Sequence, residues 1–213
     1  FDLVVGDPAH RPTAADGAAA VAAALDGGGG LVGSGSVGSG SVGAGCGATA
    51  GVLRGGVGHA SATAAGYTVA ACVVANPVGS VVDPATGLLY GDPSQPAVDL
   101  ERFRRLERPA PKLNTTIGVI ATDAPLTKTQ LKRIAMTGHD GIARAVRPAH
   151  SPLDGDTLFA LSTAVEEAPV RDVEVLAVLG EAAAGAVQTA IVSAVVHADS
   201  AFGVTAWRDL VGR

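Results

Sequence analysis

Hydrophobic and polar positions along the chain follow two alternating periods. Residues 68–75 (Thr-Val-Ala-Ala-Cys-Val-Val-Ala), 116–122 and 156–163 are short apolar runs rich in β-branched side chains, and each predicts a buried strand. Residues 1–5 read as a further strand, and an extended pattern resumes at 79–82 after Asn76-Pro77. Elsewhere the period lengthens. Leu131, Ile134, Ala135, Gly138, Ile142 and Val146 share one helical face, with Lys128, Lys132 and Arg133 away from it, which predicts a helix over 126–146. Residues 13–25 form an Ala-rich helix with Thr13 as N-cap and Asp16 in the first turn, stopped by four glycines from Gly27. Residues 172–198 are apolar on most sides, as expected of a long helix packed between layers. Asp83-Pro-Ala-Thr-Gly87 is turn chemistry, and 91–113 is a polar, Pro-rich exposed connector with a short helix around 100–106. Strands alternating with helices, and too apolar to face water, predict an α/β chain whose sheet is covered by helices.

Composition sharpens this picture. Of 213 residues, 29 are Gly and 41 are Ala, while aromatics make up 3%. A core of Ala, Val and Leu must close by backbone approach, and the length suits a single domain spanning 1–213. The net charge of −5 and a single basic run at 102–108 argue against a nucleic-acid surface. The most apolar stretch, 175–196, is interrupted by Glu181 and Gln188, so no membrane span is expected. Cys46 and Cys72 make neither a disulfide framework nor a metal spacing, which points to a cytoplasmic location. A start at Phe1 reads as the downstream part of a longer product. Residues 32–46 repeat a pentamer (VGSGS, VGSGS, VGAGC). Gly33, Gly35 and Gly38, then Gly38, Gly40 and Gly43, satisfy G-x-G-x-x-G, but four glycines precede them and no helix follows. A flexible loop is expected there, with no nucleotide cofactor, and no Gly-Lys-Ser/Thr signals a P-loop.

Three places can carry chemistry. Asn114-Thr115-Thr116 joins the connector to a buried strand. It reads as a plain strand start, as a chance Asn-x-Thr glycosylation match, or as a self-cleavage site that frees an N-terminal threonine. In the last case the hydroxyl attacks its preceding carbonyl, and the freed α-amine, with a pKa of about 7.7–8.0, then serves as its base. Asp154-Gly-Asp156 heads a strand, and alternation puts both carboxylates on one side. They are either a turn with a strand cap, or a pair sharing a cation such as an N-terminal ammonium. An EF-hand is excluded by its missing Gly and Glu. Asn76, before Pro77, is either a turn residue or an oxyanion donor. His139-Asp140 with His150 and Asp154 can be drawn as a metal site or a triad, or as unrelated helix and loop residues. No metal spacing or nucleophile-elbow serine supports the former, and no metal is expected.

In chain order, Phe1-Asp-Leu, Val42-Gly-Ala-Gly-Cys-Gly-Ala-Thr-Ala-Gly51, Asn76-Pro-Val-Gly, Asp83-Pro-Ala-Thr-Gly87, Asn114-Thr-Thr-Ile-Gly-Val-Ile-Ala121, His139-Asp-Gly-Ile-Ala-Arg144 and Arg147-Pro-Ala-His-Ser-Pro-Leu-Asp-Gly-Asp-Thr-Leu-Phe-Ala-Leu161 resemble the L-aminopeptidase/D-Ala-esterase family. That family includes β-aminopeptidases and nylon-oligomer hydrolases, and the resemblance covers essentially the whole chain. It implies an αββα sandwich similar to N-terminal nucleophile hydrolases, here without its N-terminal segment and that segment's site tyrosine. It also implies a cut between Asn114 and Thr115, so that 1–114 ends the α chain and 115–213 is the β chain. By the same resemblance Thr115 is the nucleophile, Asn76 stabilises the oxyanion, and Asp154 and Asp156 match the acidic pair of the nylon-hydrolase branch, steadying the new ammonium. Val52 stands where that branch has a lysine, which speaks against a nylon-type substrate.

The expected function is therefore a self-cleaved aminopeptidase that acts on small peptide or amide substrates without a cofactor. Self-cleaved two-chain units are expected to assemble into homo-oligomers. The rivals are a linear oligoamide hydrolase and a non-catalytic oligomeric binding protein that retains the fold.

Overall fold

The computed structural model describes residues 7, 9, 11–26, 38–107, 114–165 and 168–212. The strand expected at 1–5, most of the Gly/Ser repeat and the end of the connector lie outside the described residues. Four strands form the main sheet: β3 (Gly56–Ala64), β4 (Tyr67–Ala75), β5 (Ile117–Thr122) and β6 (Thr157–Ser162), in that spatial order. β3 and β4, and β4 and β5, run antiparallel, whereas β5 and β6 are parallel. A two-residue hairpin, β1 (Thr49–Ala50) and β2 (Leu53–Arg54), lies just before β3. The helices are α1 (Ala14–Asp26), α2 (Leu100–Arg104), α3 (Lys128–Ala145) and α4 (Val173–Val196).

Local chemistry explains where the helices begin. Thr127 and Gln130 cap α3 reciprocally, Asp99 accepts the Glu101 and Arg102 amides at the start of α2, and Asp172 accepts the Glu174 amide at the start of α4. A parallel pair needs a crossover, and α3 supplies it between β5 and β6. The sequence pattern does not predict β3, because Gly-Val-Gly-His-Ala-Ser-Ala-Thr-Ala lacks bulky alternation. It forms because Ala65 and Gly66 both take positive φ (49° and 82°) in a two-residue turn that pairs it with β4.

The core lies on one face of the sheet. Val69, Ala71, Val73, Ala75, Ile120 and Leu158 point inward, where α4 covers β3 and β4 and α3 covers β6. This packing accounts for the Gly and Ala content. A Cβ on Gly58 would stand 1.9 Å from the Ala190 carbonyl oxygen, and one on Gly141 would stand 2.2 Å from that of Ala184, so α4 touches strand and helix backbone directly. Arg144 and Glu181 tie α3 to α4 through bonds of 2.9 and 3.0 Å. α4 is apolar and long enough to cross a bilayer. Its residues from Leu179 onward are instead largely buried in this core, while its first turn leaves Val173 exposed, so it is covered on fewer sides than its composition predicts.

Among the described residues, helices cover only that inward face. Ile117, Val119, Phe159 and Leu161 form an exposed apolar patch on the other face of β5 and β6, where the αββα order places a second sheet.

G58A should lower stability by about 1–3 kcal/mol, as overpacking does. G185A, at a helical position with nothing within 4 Å of the added Cβ, should raise it by about 0.5–1 kcal/mol. Urea unfolding midpoints check both, and equal effects would contradict the close approach of α4.

Candidate active site

The parallel pairing of β5 and β6 fixes the site. Its register, with Ile117 opposite Thr157, continues upstream as a bridge between Asn114 and Asp154 at the same offset. The intervening ladder bonds run from the Gly155 amide to the Asn114 carbonyl (3.0 Å) and from the Thr157 amide to the Thr116 carbonyl (2.9 Å). Register therefore brings Asp154, Gly155 and Asp156 alongside Asn114, Thr115 and Thr116.

Both ends of the Asn114–Thr115 peptide are held. Its carbonyl oxygen accepts from the Gly155 amide and, at 2.6 Å, from the Thr115 hydroxyl. Its N–H donates to the Asn76 carbonyl at 3.0 Å. The Asn114 side-chain amide donates to the Thr49 hydroxyl (3.3 Å) and the Pro77 carbonyl (3.1 Å). A Cβ on Gly155 would stand 2.9 Å from Thr115 Oγ1, so a side chain there would displace that hydroxyl. Two donors on one carbonyl oxygen polarise it toward attack, with a hydroxyl already against it.

Asn76 is buried directly after β4, and its Oδ1 accepts the Thr49 backbone amide at 2.8 Å. A backbone N–H on Oδ1 fixes the amide's orientation and leaves Nδ2 as the donor end. Asp156 Oδ1 accepts the Thr116 amide at 2.8 Å, and its Oδ2 meets His150 Nδ1 at 2.8 Å. Asp154 Oδ1 accepts the Val78 amide at 2.8 Å, but Oδ2 is buried with no hydrogen-bond partner. Burial pushes the Asp154 carboxyl above the ordinary carboxylate range and the Asp156 charge adds to this, while the Val78 amide opposes it. The His139 ring, on α3, packs against that of His150 with centroids 4.9 Å apart and planes tilted by 57°. Burial and then the His150 charge lower its pKa, against Asp156 and Asp140.

The fold thus gathers Thr115, Asn76, Asp154 and Asp156 around the Asn114–Thr115 bond. His150 pairs with Asp156, which lies outside the group of His139, Asp140, His150 and Asp154 drawn from the sequence. No group of three or more His, Cys, Asp or Glu among the described residues is placed to hold a metal. Sequence reasoning misses Thr49 and Gly155. The glycine between two acids was the available signal for Gly155, but its role shows only once the strand register is known.

The model of peptidase family S58 matches residues 1–207. An uncharacterized aminopeptidase of Mycobacterium tuberculosis is 41% identical over 233 aligned positions, covering 99% of this chain and 65% of that protein. A 6-aminohexanoate-oligomer endohydrolase of a Kocuria species is 35% identical over 104 positions, covering 45% of this chain and 29% of that protein. The chain thus spans 65% of the mycobacterial relative's length. The L-aminopeptidase D-Ala-esterase/amidase of Ochrobactrum anthropi, described as a variant of the Ntn hydrolase fold, superposes with a TM-score of 0.60 at 30% identity, covering 78% of this chain and 47% of that one. With a mixed α/β architecture and a family match over residues 1–207, this chain belongs to peptidase family S58 and has the Ntn hydrolase type of fold.

Proposed function

We propose that the chain is the catalytic part of a self-cleaving amide hydrolase, an aminopeptidase that releases N-terminal α- or β-amino acids with Thr115 as nucleophile. The observation that carries this reading is the 2.6 Å hydrogen bond from the Thr115 hydroxyl to the Asn114 carbonyl oxygen, which the Gly155 amide also engages. In maturation, Thr115 Oγ1 bonds to the Asn114 carbonyl carbon and the C–N bond breaks. The hydroxyl proton goes to the departing Thr115 nitrogen, and water then hydrolyses the ester. In turnover, Oγ1 attacks the substrate carbonyl, the Thr115 amine takes the proton and gives it to the leaving amine, and water releases the acyl group. Asn76 Nδ2 stabilises the tetrahedral oxyanion.

The unpartnered Asp154 Oδ2 supports the same reading. A buried carboxylate oxygen without a donor is costly in the uncut chain, and an ammonium at Thr115 supplies the missing cation. Cytoplasmic location and homo-oligomers of two-chain units belong to the proposal. Oligoamide hydrolysis is the second reading, favoured by the similarity to the Kocuria endohydrolase and opposed by Val52 in place of that branch's lysine.

T115A in the full chain should lower turnover of an aminoacyl-anilide by about 10³-fold or more, while T115S keeps measurable activity. Retained turnover in T115A would contradict the nucleophile. Turnover of an aminohexanoate dimer without turnover of the anilide would select the second reading.

Asp154 gives a test with a sign. In the uncut chain its pKa lies above the unfolded value, so the folded state binds the proton first. The uncut T115A protein should therefore gain stability relative to T115A/D154N as pH falls from 7 to about 4. In the processed enzyme the paired ammonium depresses that pKa, and wild type should lose stability relative to D154N as pH falls below about 5. Denaturation midpoints against pH check this, and the same slope in both forms would exclude the ammonium pairing.

A further inference from the structure

His150 has a left-handed backbone, with φ of 54°. Few non-glycine residues adopt this region, and such strain persists where the surroundings impose it. Here the unusual backbone accompanies a ring placed on Asp156, with Nδ1 2.8 Å from Oδ2. The Asp156 side chain is 5% exposed, and its other oxygen accepts the amide of Thr116, the residue directly after Thr115. The side chain of His150 is 40% exposed, and the His139 ring packs against it from α3. The relay from His150 through Asp156 to the Thr116 amide thus ends one residue from the reacting hydroxyl.

We propose that His150 is a positioning residue that acts on Thr115 through Asp156: its Nδ1–H holds the carboxylate in the rotamer that fixes Thr116, and it draws Asp156's charge away from the Thr115 amine. This rests on Thr115 being the nucleophile. The charge effect follows from electrostatics. The amine must be unprotonated to act as base, and nearby carboxylates favour its ammonium form. A donor on Asp156 Oδ2 spreads that carboxylate's charge and keeps the amine in its working form at lower pH. The titratable groups facing His150 are Asp156 and Asp154 before β6, and His139 on α3.

The test compares four full-chain variants. Asn carries an amide nitrogen in the place of Nδ1 and tolerates positive φ, whereas Gln carries it in the place of Nε2. H150A and H150Q should slow self-cleavage and lower kcat about tenfold or more, with KM within about twofold. Their pH for half-maximal kcat should move upward, and H150N should restore rate and pH profile to near wild type. If H150A fails to fold, the contrast between H150N and H150Q carries the same information. Equal losses in H150N and H150Q, or a wild-type pH profile in both H150A and H150Q, would overturn the proposal. T115A separates the two claims. Turnover surviving in T115A removes the nucleophile reading itself, whereas inactive T115A beside fully active H150A removes only the role of His150.

Discussion

The constraint on which the site depends is the register between β5 and β6. One constant offset pairs Ile117 with Thr157 inside the sheet and Asn114 with Asp154 beyond it. A slip by one residue would turn every side chain of β6 to the opposite face. It would carry the Gly155 amide away from the Asn114 carbonyl and both carboxylates away from Thr115 and Thr116. The core prevents such a slip: Leu158 is buried on the helix-covered face, while Phe159 and Leu161 face the other way. Core packing and site geometry are thus one specification.

Around this strand pair, the layers close by packing of helix on backbone. With few aromatic side chains, the chain brings α4 against Gly58 of β3 and Gly141 of α3 at distances that exclude a Cβ. β4, the neighbour of β5, is followed directly by Asn76, whose carbonyl takes the Thr115 amide and whose side chain takes the Thr49 amide. The Asn114–Thr115 peptide therefore sits among groups from three strands or their extensions, each fixed by its own pairing. Such preorganisation lets polar groups act on a bond without rearrangement as charge develops.

Much of this was legible in the sequence. β4, β5 and β6 follow from short apolar runs, α3 from its helical period and α4 from its long apolar stretch, whereas the caps Asp99, Thr127 and Asp172 emerge only in the structure. β3 was not legible, because its small residues answer to the approach of α4 rather than to a local pattern. Asp154 and Asp156 could be placed on one side by alternation, yet their differing partners depend on long-range register. Asp156 binds the Thr116 amide and His150, whereas Asp154 binds the Val78 amide and keeps one oxygen unpartnered. The pairing of His150 goes with a positive φ at that residue, and no local pattern announces it.

The most direct test of the central claim is the intact mass of the full-length protein under denaturing conditions, followed by N-terminal sequencing of any fragment. Two chains are expected, the second beginning Thr115-Thr116-Ile117. A single uncut chain in a protein that hydrolyses amides, or a second chain starting elsewhere, would contradict it.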